Sequence, residues 1–467
     1  MTHHIQHRAT HAKLARVLDL VTGQYMRFKL QCNCEPGDNP AQSEVAGHMG
    51  VGSNFLCHKC HAGGTKKEKQ SNPGVLRTVQ ETLKEVEHQL QLASRGVALT
   101  VTTRQTETGV KDVYTQFWIE WLIQWSQEQQ KCREGQSLEE IKAELMDLIE
   151  SDHDSVYNPF LTLKYSNVNQ DTPVEILHTI LLGIVKYGWH TTHTTWKDNQ
   201  KALYASRLQS TDPEGLSIPA ICAGYIMQYA NLLIGWQLKI LAQTNVFYIY
   251  DLVSADQYQL IKATGVLAAL LWVPEIFNMG EYLEDVKIAV ANVLDSAAKL
   301  DPSKIIAKMK YHLLVHIPDD VERLGSIIGQ ATESHESFNL VFRHCSVLSN
   351  HQSPSRNIAY QLAKQDTFRH LISGGWYKER GESNPEQWKL SGHVLLQYVE
   401  KSEVLKQIYH IGPHLRGKEN VGATVLKPIS HKDKEPRSRI CQAHQENGKV
   451  LFWCLPKAPR LPSYPAY

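Results

Sequence analysis

From Val75 to about Ala298 apolar residues recur three and four positions apart in segment after segment, and no other feature of the chain constrains its fold as strongly. Leu76, Val79, Leu83, Val86 and Leu90 form one apolar stripe on an otherwise charged stretch, the pattern of a helix with one buried face. Ser137-Leu-Glu-Glu140 reads as a capping box opening a second helix, with Ile141, Leu145 and Leu148 facing inward. Further helical patterns cover Val174–His190, Ile221–Gln243 and Asp256–Trp272. No segment repeats another, so these stripes predict packed core rather than a repeat array or a dimer seam. The expected class is α-dominated α/β.

Composition narrows the function. The 467 residues hold 49 Lys+Arg against 48 Asp+Glu, a formal charge of +1, which excludes attachment to nucleic acid by bulk charge alone. Hydrophobic residues at 42% and charged residues at 21% describe a globular chain rather than a disordered one. The uncharged window Gly215–Leu238 is long enough to span a bilayer, but Pro219, Gln228, Asn231 and Gln237 interrupt it and Lys239 follows. A buried helix is expected there, with no membrane partner. The polar start, Met1-Thr-His-His, does not read as a secretory signal, so the nine cysteines are expected reduced, in an intracellular protein.

The flanks differ from the helical middle. Tyr25-Met-Arg-Phe-Lys-Leu-Gln-Cys32 alternates like a strand, and the turn residues Glu35-Pro-Gly-Asp38-Asn-Pro40 place Asp38 on a loop just past it. Gly63 to Gly74 reads as a flexible basic boundary. Tyr311-His-Leu-Leu-Val-His316 reads as a helix ending at Pro318, and Glu333 to Arg343 as another. From Gly412 to Arg439 seven Lys/Arg face three Asp/Glu among several Gly and Pro, an irregular basic segment.

Two pairs carry metal chemistry. Cys57-x-x-Cys60 sets two thiolates on one tight turn, half of a tetrahedral zinc site. His312 and His316, four apart on a helix, send both imidazoles from one face. Either pair alone reads more readily as a turn with two buried thiols or a helix with two core histidines. Together they make one Cys₂His₂ set, and Cys32-x-Cys34 offers a rival completion. The acidic candidates are Asp38, Glu175 and the pair Glu333/Glu336. Two-metal phosphoryl transfer gathers such carboxylates from separate elements around ions roughly 4 Å apart.

An ordered series of motifs resembles a known family. Gly37-Asp38-Asn-Pro-Ala-Gln-Ser-Glu44, Gly47-His-Met-Gly50, Cys57-x-x-Cys60 and Gly63-Gly-Thr65 are similar to fungal transposase-derived proteins of the CACTA (En/Spm) type. So are the segments Asp171 to Tyr187, Thr332 to Asn339 and Cys345 to Arg356, and the resemblance covers most of residues 30–376. It implies an RNase H-like catalytic core interrupted by a large helical insertion, and DNA strand cleavage and transfer with Mg²⁺ or Mn²⁺. On this resemblance Asp38 is the second catalytic aspartate and Glu336 the final acid, with Glu333 as the alternative. Glu175 and His178 fall on the family's acid-x-x-His element, with Glu where Asp is more usual, in a supporting role. Related recombinases pair a CxxC with two downstream histidines around zinc, which favours Cys57, Cys60, His312 and His316 over the Cys32/Cys34 rival.

The domains expected are a core fragment at 1–66, a helical insertion at 75–300, a closing segment at 301–376 and a C-terminal basic segment at 390–467. The partners expected are DNA at the element's ends and a second copy of the chain, in the nucleus. One element of the family pattern is missing. Its first catalytic aspartate belongs on the first strand, and the three strands before Asp38 need on the order of 30 residues. The only aspartate upstream is Asp19, in a stretch, Leu14 to Val21, that reads as helix. An inactive transposase derivative is therefore expected. The alternative is a non-catalytic, zinc-containing DNA-binding or scaffold protein. An unrelated zinc hydrolase is disfavoured because no HExxH occurs.

Overall fold

The computed structural model describes residues 33–71, 74–132, 136–151, 156–163, 166–347, 349 and 351–372, with shorter pieces at 15–18, 24–28, 376–377, 389–390, 401–404, 443–446 and 449–452. Asp19, Cys32 and the basic stretch from Arg416 to Arg439 lie outside them. The chain divides into two compact units, one holding Leu30–Glu333 and the other Leu14–Lys29 with the residues from Ser334 onward.

The larger unit is helical and has two main cores. In the first, helix Val79–Ala93 starts on a capping box, Thr78 with Glu81, and buries Val86, Leu90 and Ala93. Helices Ala98–Thr108, Val113–Cys132 and Leu138–Ser151 share that core. The Ser137/Glu140 box forms as its sequence predicts, Glu140 N–H donating to Ser137 Oγ at 3.3 Å and Ser137 N–H to Glu140 Oε2 at 2.8 Å. The buried row is Ile141, Leu145 and Ile149, however, and Leu148 is exposed. A strict four-residue spacing, rather than a three-residue step at the end, follows the contact with the neighbouring helix.

The second core runs from Val174 to Ile327 and takes in Cys57 and Cys60. It opens with a π-helical run, Ile176–Val185, which continues into helix Lys186–His193. The uncharged window is not one helix. It breaks between Ala223–Gln228 and Gly235–Tyr248, and no described helix is long and apolar enough to cross a membrane. Helices Ala255–Leu271 and Met279–Leu300 complete the layer. Pro318 does not end the segment that carries the histidines. It sits in the first turn of Ile317–Leu324, where a proline's missing N–H costs nothing, so the helix restarts there. Between the cores, the expected flexible stretch after Gly63 contains a short helix, Lys66–Ser71.

In the smaller unit Ala15–Leu18 pairs antiparallel with Tyr25–Phe28, Ala15 opposite Phe28. The expected helix around Leu14 is therefore a strand over Ala15–Leu18, its backbone paired with the strand-forming segment Tyr25–Phe28. Helix Pro354–Ile372 follows, with two further two-stranded pairs. The fold is helix-rich, as expected, and among the described residues no sheet exceeds two strands.

Candidate metal centre

The site begins as a knuckle. Phe55 and Gly63 bridge antiparallel, Leu56 N–H donates to Ala62 O at 3.2 Å, and Gly64 N–H donates to Asn54 O at 2.8 Å. A side chain at Gly63 would put Cβ 2.4 Å from Asn54 O, so only glycine closes the turn. Inside it, Lys59 N–H donates to Cys57 Sγ at 3.3 Å, fixing the sulfur's direction. Arg77 clamps the turn from behind, its Nε donating to the carbonyls of Cys57 and Cys60 at 3.0 and 3.1 Å.

The histidines come from the far end of the unit. Helix Met309–Leu313 passes into a 3₁₀ turn, Leu314–His316, and the two rings lie 5.2 Å apart at 81°. His316 Nε2 is 3.5 Å from Cys57 Sγ, and His312 Nε2 is 3.1 Å from Cys60 Sγ. All four donor atoms lie within 4.8 Å of one another, and all but His312 are buried. With Zn–S near 2.3 Å and Zn–N near 2.05 Å, a tetrahedron puts sulfur and nitrogen about 3.6 Å apart. The donor set and its spacing fit a metal ion of that kind. Four protein ligands fill the coordination sphere and leave no position for a reactive water.

Electrostatics favour one thiolate of the pair, at Cys60. Burial raises the Cys57 thiol, whereas Cys60 is lowered, first by its hydrogen bond with Cys57 and then by a backbone N–H and the charges of Arg77 and Lys59. One thiol donating to the other describes the metal-free pair, and a cation would replace that proton.

Around the ligands runs a layer that spacing motifs do not reveal. Lys59 Nζ is 2.8 Å from Asp320 Oδ1, both side chains almost wholly buried, and it also donates to Gln170 O and Thr172 O. Asp320 Oδ2 accepts from Val174 N–H at 2.8 Å. Asn169 and Gln170 return hydrogen bonds to His58 O and Lys59 O at 2.9 Å. The knuckle, the segment before the π-helical run and the histidine helix are thus tied together by polar contacts as well as by the ligand set. One signal was available in sequence: Asp320 lies four residues beyond His316, continuing the row His312, His316.

No family of known proteins, no curated protein and no solved structure matches this chain. The site therefore stands on its own geometry.

The other candidates are placed as follows. Cys34 donates to Gln330 Oε1 at 3.1 Å, its thiol pushed up to about 11 mainly by burial, and it is not one of the four gathered donors. Asp38 caps helix Asn39–Val45, accepting from Ala41 N–H at 2.8 Å. Glu175 is fully buried at the start of the π-helical run. It accepts from Leu177 N–H at 2.8 Å, from His178 N–H at 2.5 Å and from Thr332 Oγ at 3.1 Å, and it lies 2.5 Å from His178 Nδ1. Thr179 Oγ donates to Asn39 Oδ1 at 3.4 Å. Asn39 follows Asp38 and Thr332 precedes Glu333, so both acids adjoin side chains anchored on the one turn 175–179. Glu333 begins helix Glu333–Val347, and Glu336 lies one turn on, in the smaller unit. Among the described residues of the larger unit, the Cys/His set is the only group of three or more such donors gathered closely enough for an ion.

Proposed function

We propose that this chain is a CACTA-type transposase-derived protein that associates with DNA in the nucleus and is held together by structural zinc at Cys57, Cys60, His312 and His316. One observation carries the reading: the four ligands named by the family resemblance gather from segments 252 and 259 residues apart in sequence. Zinc suits a buried, closed thiolate–imidazole set better than a hard cation such as Mg²⁺, which takes oxygen ligands. The anchoring of Asn39 and Thr332 on the turn 175–179 adds support, since it brings the neighbours of Asp38 and Glu333 to one place.

On this reading the ancestral activity is DNA strand cleavage and transfer by an RNase H-like core, Asp38 with Glu336 or Glu333 holding Mg²⁺ or Mn²⁺. Such ions stabilise the attacking and leaving oxygens of the phosphate. Within these 467 residues the resemblance supplies two of the three acids, and carboxylates of such a site act as a unit. On this reading these 467 residues by themselves bind DNA without cutting it.

Elemental analysis of the purified protein tests the metal. About one zinc per chain is expected, lost in Cys57→Ser and His316→Ala. Mobility shifts on duplex DNA should weaken steeply with salt. A chain free of zinc when purified under reducing conditions would sink the metal assignment. Metal-dependent nicking that disappears in Asp38→Ala would overturn the inactivity. Absence of any salt-sensitive DNA binding would leave a zinc-bearing scaffold as the better reading.

A further inference from the structure

The helices Val113–Cys132 and Leu138–Ser151 share one core, yet their outer faces are unusual for a protein surface. Along the first, Tyr114, Phe117 and Trp125 are 40%, 61% and 39% exposed. Trp118 and Trp121 are half-buried beside them. The indoles are mutually ordered: Trp118 meets Trp121 edge-on at 5.9 Å, and Trp121 stacks on Trp125 at 5.5 Å. Along the second helix Glu139, Glu140, Glu144, Asp147 and Glu150 are all exposed, against Lys142 as its one basic residue. Glu140 with Glu144, Glu144 with Asp147, and Asp147 with Glu150 are like charges three or four apart, a spacing that costs helix stability. The core is built from Ile119, Leu122, Ile141, Leu145 and Ile149, with Trp118 and Trp121 packed against it, whereas Tyr114, Phe117, Trp125 and the acidic row stand exposed outside it.

We propose that these two helices form a docking surface for a basic amphipathic helix of a partner protein. Charge decides the occupant. A surface this acidic repels phosphate, so it is not a DNA contact even in a chain that binds DNA elsewhere. It attracts Lys and Arg, which also stack favourably over Trp faces. The aromatic row supplies rigid anchors for the partner's apolar face, as in helix-in-groove recognition. The surface is independent of the metal centre, since it belongs to the other core.

The test uses the full chain and three probes. These are an 18-residue amphipathic Leu/Lys helix, its Leu/Glu counterpart and a 20-base-pair duplex, with binding followed by Trp fluorescence and by anisotropy of the labelled probe. The Leu/Lys peptide should bind in the micromolar range, about tenfold or more weaker in Phe117→Ser/Trp125→Ser. Reversal of the acidic row in Glu144→Lys/Asp147→Lys should weaken it similarly, and added salt should weaken it progressively. Circular dichroism of both variants checks that the helices persist. The proposal fails if the Leu/Glu peptide binds as well, if the duplex competes at this face, or if neither double variant changes binding. It also fails if sedimentation shows a dimer that Phe117→Ser/Trp125→Ser dissolves, because the occupant is then a second copy. No binding of the Leu/Lys peptide at millimolar concentration rejects it outright.

Discussion

Replacing Asp320 by alanine tests how the metal centre is braced. The carboxylate does two jobs: Oδ1 meets Lys59 Nζ at 2.8 Å, and Oδ2 accepts from Val174 N–H at 2.8 Å. Only 1% of the Lys59 side chain and 2% of that of Asp320 are exposed, so water cannot replace either partner. Removing one member of a buried pair costs about 3–5 kcal/mol, because the other charge stays behind. The orphaned Val174 N–H adds about 1–3 kcal/mol. Against the 5–15 kcal/mol typical of a whole domain, Asp320→Ala should remove a large part of the stability.

The reverse change is milder. Burial raises the Asp320 carboxyl despite the attraction of Lys59, so Asp320 left alone in Lys59→Met can take up a proton and shed its charge. Lys59→Met should therefore cost less than Asp320→Ala, and less at pH 5 than at pH 8. The double variant Lys59→Met/Asp320→Leu should recover the ion-pair part of the loss, since well-packed apolar pairs often replace buried ion pairs at little cost, while Val174 N–H stays without its acceptor. Urea unfolding of the purified protein measures all three. A loss under about 1 kcal/mol in Asp320→Ala, or a double variant no better than the single, would refute the bracing argument.

Three smaller perturbations follow from the same geometry. Gly74 has φ +84° and an added Cβ would lie 2.7 Å from Cys60 Sγ, so Gly74→Ala should displace the sulfur and speed zinc loss to a chromophoric chelator. His48 Nδ1 accepts from Gly50 N–H at 2.9 Å, and burial lowers this imidazole to about 3. The unfolded chain thus binds the proton first: its contribution is intact above pH 6.5 and is lost as pH falls toward 3. Between pH 6.5 and 4.5 that is about 2.7 kcal/mol at most, and His48→Gln should flatten this part of the acid limb in thermal melts. Glu175→Ala strips the cap from the π-helical run and should cost about 1–2 kcal/mol in urea unfolding, more if Thr332 finds no new acceptor.

The sequence made the ligands legible because each pair is local. Cys57 and Cys60 share a turn and His312 and His316 share a helix face, and residue type with spacing is enough for both. That the two pairs meet is a long-range fact, which periodicity does not encode: their donor types made one Cys₂His₂ set an option beside Cys32/Cys34, and the family resemblance favoured it. The Lys59–Asp320 pair is hidden for the same reason: in sequence a single Lys and the acid pair Asp319-Asp320 look like solvated charges, and their partnership exists only after the knuckle and the histidine helix pack. Local errors had local causes. In sequence Leu148 fits the inward row as well as Ile149 does, because apolar neighbours at the end of a helix fit two faces. Pro318 was read as a stop, although proline is equally at home in a first turn. The uncharged window was read as one helix, although Tyr229 to Ile234 turn between two.

The separation of 252 positions between Cys60 and His312 also sets a clock. A ribosome adding about 5–20 residues each second takes roughly 13–50 s to travel from the knuckle to the first histidine. Throughout that interval the two sulfurs exist without their imidazole partners, on a turn that can bind metal only incompletely or react with oxidants. A metal can thus be held by all four residues only late in the making of the larger unit. With zinc at the site, as proposed, a cell short of that ion or under oxidative load would meet this chain at its most vulnerable while it is still being synthesised.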